Sequence, residues 1–347
     1  MATFDVFKSD AFNLIEMTNA IADIKTVPSF LDQLGIFTPT PITTERFQIE
    51  QIGDGTLGLV QTSERGAPRT AIGRDRRTMR DFSTVRLREF DTLRASELLG
   101  VRAFGSQTEV EAVQAVIATR QSKLLRKLQL TREYHRLGAI NGIVLDADGT
   151  TTIRNFYTEF GITPPTEIAF SWSNKTDVTG FIRQNVIRPM VQALGGRWVP
   201  GARIMALCGD QFYDGLIANA EVRDSYKNWE AAKALRGNSD GGIGMAYGNF
   251  TFGDVEWVNY RGTDDNSTVS IGTTKCRFIP VGIPDIFQSV YSPGESMEVV
   301  GTLGQEFYSK VVPDPSGYNE FVEIDLATYR LDMCVSPQAL LQGRAGS

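Results

Sequence analysis

Apolar and polar residues alternate with a period of two from Thr43 onward. In TTERFQIEQ, Phe47 and Ile49 share one face, while Arg46, Gln48 and Glu50 share the other. DFSTVRLREF repeats the pattern, with Val85 and Leu87 opposed to Arg86 and Arg88, so two long, half-buried antiparallel strands are predicted. The period then changes: Val110, Val113, Ile117, Leu124 and Leu128 recur at helical spacings, Thr108 and Glu111 match a capping box, and Gly138 is placed to close the end. The prediction is one helix from Thr108 to Leu137, about 45 Å long at 1.5 Å per residue. Its remaining faces carry Arg120, Lys123, Arg126, Lys127, Arg132 and Arg136, which reads as a buried stripe with a basic, solvated exterior.

Further along, GIVLD and TTIRNFY flank an Asp-Gly dipeptide and predict a hairpin with a type I′ turn. A second helix follows KTD, its apolar face made by Phe181, Ile182, Val186, Met190, Val191 and Leu194 and its end by Gly195-Gly196. Arg203 to Cys208 reads as a buried strand leading into two short helices, and MAYGNFTFG, VEWVNYRG and KCRFIPVG read as short strands. Tyr247, Phe250, Phe252, Trp257 and Tyr260 fit strand-face core, because nothing basic alternates with them. FYSKVV, PDPSG and FVEIDLATYRLDMCV form a terminal hairpin, with a bulge expected near Ala327-Thr328 where the alternation slips. Before all this, SDAFNLIEMTNAIADI is helix-like, but prolines at 28, 39 and 41 predict an extended arm rather than a packed domain start.

Composition narrows the chemistry. The 347 residues suffice for roughly two domains, and 41% apolar residues, 22% charged residues and a net charge of −6 describe a globular chain without a dominant nucleic-acid footprint. Cys208, Cys276 and Cys334 are odd in number and far apart, which offers no disulfide framework or metal pair and points to a reducing compartment. No signal peptide or membrane span is expected. His135, the one histidine, sits on the predicted helix and reads as structural, so multi-histidine metal sites fall away. The run ending DADGT looks like the nucleophile motif of haloacid-dehalogenase-type phosphatases, with Asp146 and Asp148 as the paired carboxylates of a Mg²⁺-dependent phosphohydrolase. Such an enzyme needs a cap, a later lysine and an acidic pair at strand ends, and Asp264-Asp265 lies instead in a polar loop, so the hairpin reading is preferred. CGDQFYDG matches no phosphate-binding signature, and no catalytic residue, metal or cofactor is expected.

One segment has no place inside a compact domain. GTLGLVQTSERGAPRTAIGRDRRTMR carries Arg65, Arg69, Arg74, Arg76, Arg77 and Arg80 among glycines, and far exceeds an ordinary connection of about four to six residues. It is either a solvated loop, a nucleic-acid contact or a surface packed on a neighbouring subunit.

The order of parts is arm, arginine-bearing excursion, very long helix, hairpin, α/β middle and terminal strands. With FLDQLGIFTPTPITTERFQIEQIGDGTLGLVQTSERGAP at the front and VPDPSGYNEFVEIDLATYRLDMCVSPQALL at the back, it resembles the major capsid proteins of tailed bacteriophages, specifically the lambda-like capsid protein E family. The resemblance implies an α+β fold with an N-terminal arm (1–42), an extended β-hairpin E-loop (43–105), a peripheral domain (106–196 and 301–347) containing a spine helix (108–137), and an axial domain (197–300). It implies a structural, non-enzymatic subunit that self-assembles through hexamers and pentamers into an icosahedral head shell around double-stranded DNA, held without sequence specificity. The implied setting is the virion, assembled in the host bacterial cytoplasm without a membrane. Implied partners are a portal protein, a decoration protein at threefold sites and, because the chain begins directly with the arm, a separate scaffolding protein. An encapsulin-like compartment is the close variant. Arg65, Arg69, Arg74, Arg76 and Arg77 are expected to meet acidic groups on neighbouring subunits. No lysine stands between Lys25 and Lys123, so non-covalent stabilisation is expected rather than the lysine–asparagine crosslink of some relatives.

Overall fold

A computed structural model describes residues 30–52, 77–98, 109–172, 177–225, 249–260, 269–318 and 320–346. The helix-like stretch 9–24 and most of the arginine-bearing excursion lie outside the described residues.

The described part of the expected arm is packed on the chain's own core. Helix α1 (Phe30–Leu34) buries Phe30 and Leu31, and β1 (Thr38–Pro41) adds in parallel to β12 (Phe287–Tyr291) at a sheet edge. Prolines 39 and 41 are tolerated there because an edge strand has one side free of ladder bonds. Strand β2 (Arg46–Ile52) pairs antiparallel with β3 (Arg77–Ser83) from Arg46 opposite Ser83 to Ile52 opposite Arg77. The second predicted strand is therefore two strands. At Thr84 the chain leaves this ribbon, and β4 (Val85–Arg94) enters the main sheet against β14 (Phe321–Cys334), with Val85 opposite Arg330. The period of two continues across the break, since Val85 and Leu87 still face inward while Arg86 and Arg88 are exposed.

After α2 (Ala95–Leu98), helix α3 runs 33 residues from Glu109 to Asn141, about 50 Å. It does not stop at Gly138. That glycine is a point of close approach, where a Cβ would stand 2.9 Å from the Cα of Val144 in β5 (Ile143–Leu145). The helix ends at Gly142, whose φ of +79° turns the chain into the hairpin of β5 with β6 (Thr152–Asn155).

Helix α4 (Phe156–Phe160) and β7 (Ile168–Phe170) follow. Then α5 (Val178–Ile182), a π turn (Arg183–Ile187) and α6 (Arg188–Leu194) make one continuous helix capped by Asp177, which accepts from Gly180 N at 2.7 Å. Val178, Ile182, Val186, Met190 and Leu194 are all buried. A spacing of four drifts against 3.6 residues per turn, and the wider π turn takes up that drift. The remaining elements are β8 (Arg203–Cys208), α7 (Asp210–Ala218), β9 (Asn249–Phe252), β10 (Val255–Asn259), β11 (Lys275–Val281), β12, β13 (Tyr308–Pro313), β14 and β15 (Leu341–Ala345).

Among the described residues the strands form two main sheets. One has β1-β12-β14-β13 with β4 also on β14, and the other has the order β7-β15-β11-β8-β10-β9. Helices and strands of both orientations are interleaved, an α+β fold as expected. The sheets cut across the expected domain boundaries: β12 from the 197–300 segment joins β14, whereas β15 from a flanking segment joins β11 and carries β7 on its other edge. Strand β14 keeps an unbroken register past Ala327-Thr328, so there is no bulge. The alternation slips because every residue from Ile324 to Cys334 is buried on whichever face it lies. The main core gathers around Phe170, Phe212, Trp257 and Phe278, with Trp257 and Phe278 edge-to-face at 5.6 Å.

Replacing Gly142 by Ala places a Cβ 2.3 Å from the Tyr157 ring at a left-handed position. A loss of about 2 kcal/mol or more is expected, read as a lowered midpoint in urea unfolding.

Candidate assembly surface

The arginines expected to reach neighbours divide into those outside and those inside the described residues. Arg65, Arg69, Arg74 and Arg76 lie outside them, and Arg77 is described only as the first residue of β3. Arg80 is described in full and turns inward. Its guanidinium donates to the carbonyls of Glu159 and Phe160 and stands 5.2 Å from the centre of the Phe160 ring. Those carbonyls end α4, where a helix leaves acceptors unpaired and favours a cation. Arg154 donates to the Ser83 carbonyl at 3.4 Å and pairs with Glu159 at 3.3 Å, while Phe82 lies between Phe47 (5.7 Å) and Phe160 (5.9 Å). The root of the β2–β3 ribbon is thus fixed to the body by an aromatic stack and two arginines.

Next to the root, the outer face of β4, β14 and β13 carries paired charges around an exposed ring. Arg88 clasps Asp325 through Nε at 2.9 and 2.7 Å, Arg86 meets Glu295 at 3.2 Å and Lys310 meets Glu298 at 2.9 Å. Phe90 on the same face is 64% exposed, and Met297, Val300 and Leu303 stand out from the β12–β13 connection at 92%, 68% and 59%. Apolar side chains displayed among oriented charges suit contact with another protein surface rather than catalysis.

Beneath this face, α3 lies along β14. Ile117, Leu124, Leu125 and Leu128 pack on Val322, Ile324 and Leu326. One turn further on, both partners become charged. Arg132 and Arg136 are buried, not solvated as the helix pattern implies, and face Arg330 and Asp332 of β14, which are 1% and 2% exposed. Arg132 bridges Asp32 (3.2 Å) and Glu306, and Arg136 bridges Asp32 and Asp332 (3.5 Å) while covering the Phe37 ring. Arg330 Nε stands 3.6 Å from Asp332, whose other oxygen accepts from Ser289 Oγ. Burial pushes the Arg330 guanidinium down to about 10 against the pull of Asp332. Burial works to raise Asp332, but Arg330 and Arg136 hold it below the ordinary carboxylate range. His135 stays neutral: burial, reinforced by Arg330, lowers it to about 4, with Asp332 and Asp146 opposing.

The sequence signals for chemistry resolve into structure. Asp146 and Asp148 sit in a six-residue turn, closed by Asp146 N donating to Thr151 O at 2.9 Å. Asp148 accepts from Thr150 N (2.9 Å), Thr151 N (2.8 Å) and the Thr151 hydroxyl (2.5 Å), bonds that hold its carboxyl well below the usual range. The turn is not type I′, because positive φ occurs at Gly149 and not at Asp148. Among the described residues no group of three or more His, Cys, Asp or Glu side chains is arranged to hold a metal, and Asp264-Asp265 lies outside them. Gly209 N, which an anion cradle would use, donates to Lys275 O at 2.9 Å. The cysteines do not stay apart: Cys208 and Cys276 are neighbours, with Sγ atoms 3.3 Å from each other. No helix among the described residues is long and apolar enough to cross a membrane.

An α+β body with a long helix along one sheet and a ribbon rooted beside it is a fold shared with phage capsid proteins. A prophage protein of Escherichia coli CFT073 described as a candidate capsid protein superposes with a TM-score of 0.58 at 13% identity, covering 96% of this chain and 99% of that one. The mature capsid protein of bacteriophage PhiM1 does so at 0.53 and 9% identity, covering 94% and 89%. Residues 13–345 match the family described as phage major capsid protein E, and the chain belongs to that family. Relatives named as major capsid proteins are 28% identical in Pseudomonas phage KPP10 (96% of this chain, 97% of the relative) and 25% identical in Salmonella phage Felix O1 (96% of each).

Asp332→Asn keeps volume but removes the negative charge facing Arg330 and Arg136, and is expected to cost about 3–5 kcal/mol in denaturant unfolding. His135 supplies a pH signature. Its folded value of about 4 lies below the ordinary 6.5, so stability is full above pH 6.5 and falls between 6.5 and 4, by about 3 kcal/mol in total. His135→Gln is expected to flatten that interval in unfolding measured against pH, leaving only the carboxylate-linked loss at lower pH.

Proposed function

We propose that this chain is the major structural subunit of a tailed-phage head, assembling through hexamers and pentamers into an icosahedral shell around double-stranded DNA. The observation that carries the reading is the match of residues 13–345 to a single family of phage major capsid proteins, on a capsid fold. The role is structural rather than enzymatic, and the place of action is the virion, after assembly in the host cytoplasm. Domain roles follow the sheets: α3 with the β4-β14-β13 sheet as the peripheral body, the six-stranded sheet as the axial body, and the β2–β3 ribbon as the root of the E-loop. A scaffolding protein, a portal protein, a decoration protein at threefold sites and packaged DNA complete the set of partners.

In this reading the 53–76 segment lies across an adjacent subunit, where Arg65, Arg69, Arg74, Arg76 and Arg77 meet carboxylates. A segment of that length costs roughly 1 to 2 kcal/mol per residue to order, and large obligate interfaces are where such a cost is recovered. The rooted ribbon supports the reading, because Arg80 and Phe82 fix its base to the body and so give a segment that leaves it a firm anchor.

Negative-stain electron microscopy with light scattering, on the chain expressed with and without its scaffold, tests the function. Closed shells, or hexamers and pentamers that become shells with scaffold, are expected; a lasting monomer or dimer under both conditions contradicts the proposal. Replacing the five arginines by Ala is expected to abolish or strongly reduce shells while leaving subunit unfolding within about 1 kcal/mol of the parent. Unchanged assembly would remove their assigned role.

A further inference from the structure

Cys208 is the last residue of β8 and Cys276 the second of β11, and the two are direct partners in the antiparallel ladder. The adjacent pair is hydrogen-bonded, with Gly209 N donating to Lys275 O at 2.9 Å. Cys208 and Cys276 are therefore a non-hydrogen-bonded pair, the kind whose Cα atoms lie at roughly 4.5 Å and whose side chains approach most closely. That separation is inside the window of about 4.4 to 6.8 Å that disulfides occupy. Both side chains are buried as free thiols, with Sγ atoms 3.3 Å apart. Closure to an S–S bond of about 2.05 Å thus needs side-chain rotation and little backbone movement.

We propose that Cys208 and Cys276 form an oxidation site: a cross-strand disulfide closes between them once the particle leaves the reducing cytoplasm, locking the central strands of the six-stranded sheet. The timing rests on the capsid reading; the bond itself does not. The oxidant class is a small neutral peroxide, with hydrogen peroxide as the probe. One thiol gives up its proton and its sulfur attacks a peroxide oxygen; the O–O bond breaks, a sulfenic acid forms and water leaves. The second sulfur then attacks the sulfenic sulfur, the S–O bond breaks, and hydroxide takes the second thiol proton as water. Two thiols and one peroxide become one disulfide and two waters.

Entry is at the end of the ladder. Beyond Cys208 and Cys276, the Gly209–Lys275 bond closes against a turn held by Lys275 N donating to Gly272 O, Phe212 N to Thr273 O and Ala345 N to Thr274 O, so peroxide enters when this end of the ladder opens locally as a unit. Burial raises the Cys208 thiol well above its ordinary value, which slows oxidation and keeps the pair reduced during assembly. Cys334 serves as an internal control, since it lies in the other sheet opposite Phe287.

The test uses the full chain, as particles and as unassembled subunits, treated with hydrogen peroxide or kept in dithiothreitol. Samples are then denatured in iodoacetamide, digested without reductant and mapped by mass spectrometry. The expected result is a Cys208–Cys276 linked peptide, an alkylated Cys334 and an unfolding temperature raised by roughly 5 °C relative to the reduced sample. Cys208→Ala and Cys276→Ala should each lose both the linked peptide and the shift. Three alkylated thiols after peroxide, or sulfinic acid without a crosslink, would overturn the oxidation site, and a crosslink with no thermal shift would overturn the lock. Because the linked peptide is scored in unassembled subunits as well as in particles, its absence is distinguishable from a failure to form shells.

Discussion

The long helix α3 and strand β14 must keep one register along their shared length, and strands β4, β12 and β13 and the chain's early segment all attach to that pair. The first part of the contact is apolar, Leu124, Leu125 and Leu128 against Val322, Ile324 and Leu326. The second is ionic, Arg132 and Arg136 against Arg330 and Asp332. The apolar part supplies stability and tolerates small slides. The ionic part adds little net stability, because desolvation offsets the attraction, but a slip of one residue leaves buried charge uncompensated. Stability and register are therefore provided by different halves of one interface.

The same strand connects the body to everything that projects from it. Strand β14 pairs with β13, β12 and β4, and β4 leads directly back through Thr84 into the β2–β3 ribbon. Arg80, Arg154 and the Phe47–Phe82–Phe160 stack fix the ribbon root to α4 and the β5–β6 hairpin. The chain's early segment is held by the ionic half: Asp32 on α1 meets both Arg132 and Arg136, and Leu31 N donates to Glu133 of α3 at 3.0 Å. The ribbon, through β4, and the early segment, through Asp32 and Leu31, thus both connect to the α3–β14 pair.

Much of this is written locally in the sequence, and what is not depends on distant partners. The periods of two and of 3.6 residues show the strands and the long helix. The split at Thr84 is hidden, because β3 and β4 carry the same alternation while serving different ladders. Arg132 and Arg136 look like a solvated face, since their partners Asp32, Glu306 and Asp332 are remote in sequence. The readable hint is Arg330 and Asp332, two residues apart and so on one strand face within an otherwise apolar run. Gly138 is misleading for the converse reason: a glycine late in a helix suggests a cap, while here it permits contact with Val144. The basic segment stood out in the sequence as a run without a home, whereas the face around Phe90, Met297, Val300 and Leu303 did not, and Arg80 shows that neighbouring arginines in one run serve different ends.

In the function proposed above, the segment between β2 and β3 finds its partners on another copy of the chain. A cryo-electron microscopy reconstruction of the assembled shell, at a resolution that shows side chains, tests it most directly. Residues 53–76 are expected to lie across the adjacent subunit, with guanidinium groups of Arg65, Arg69, Arg74 and Arg76 against that subunit's carboxylates. Density that folds these residues back onto their own ribbon and body would contradict it.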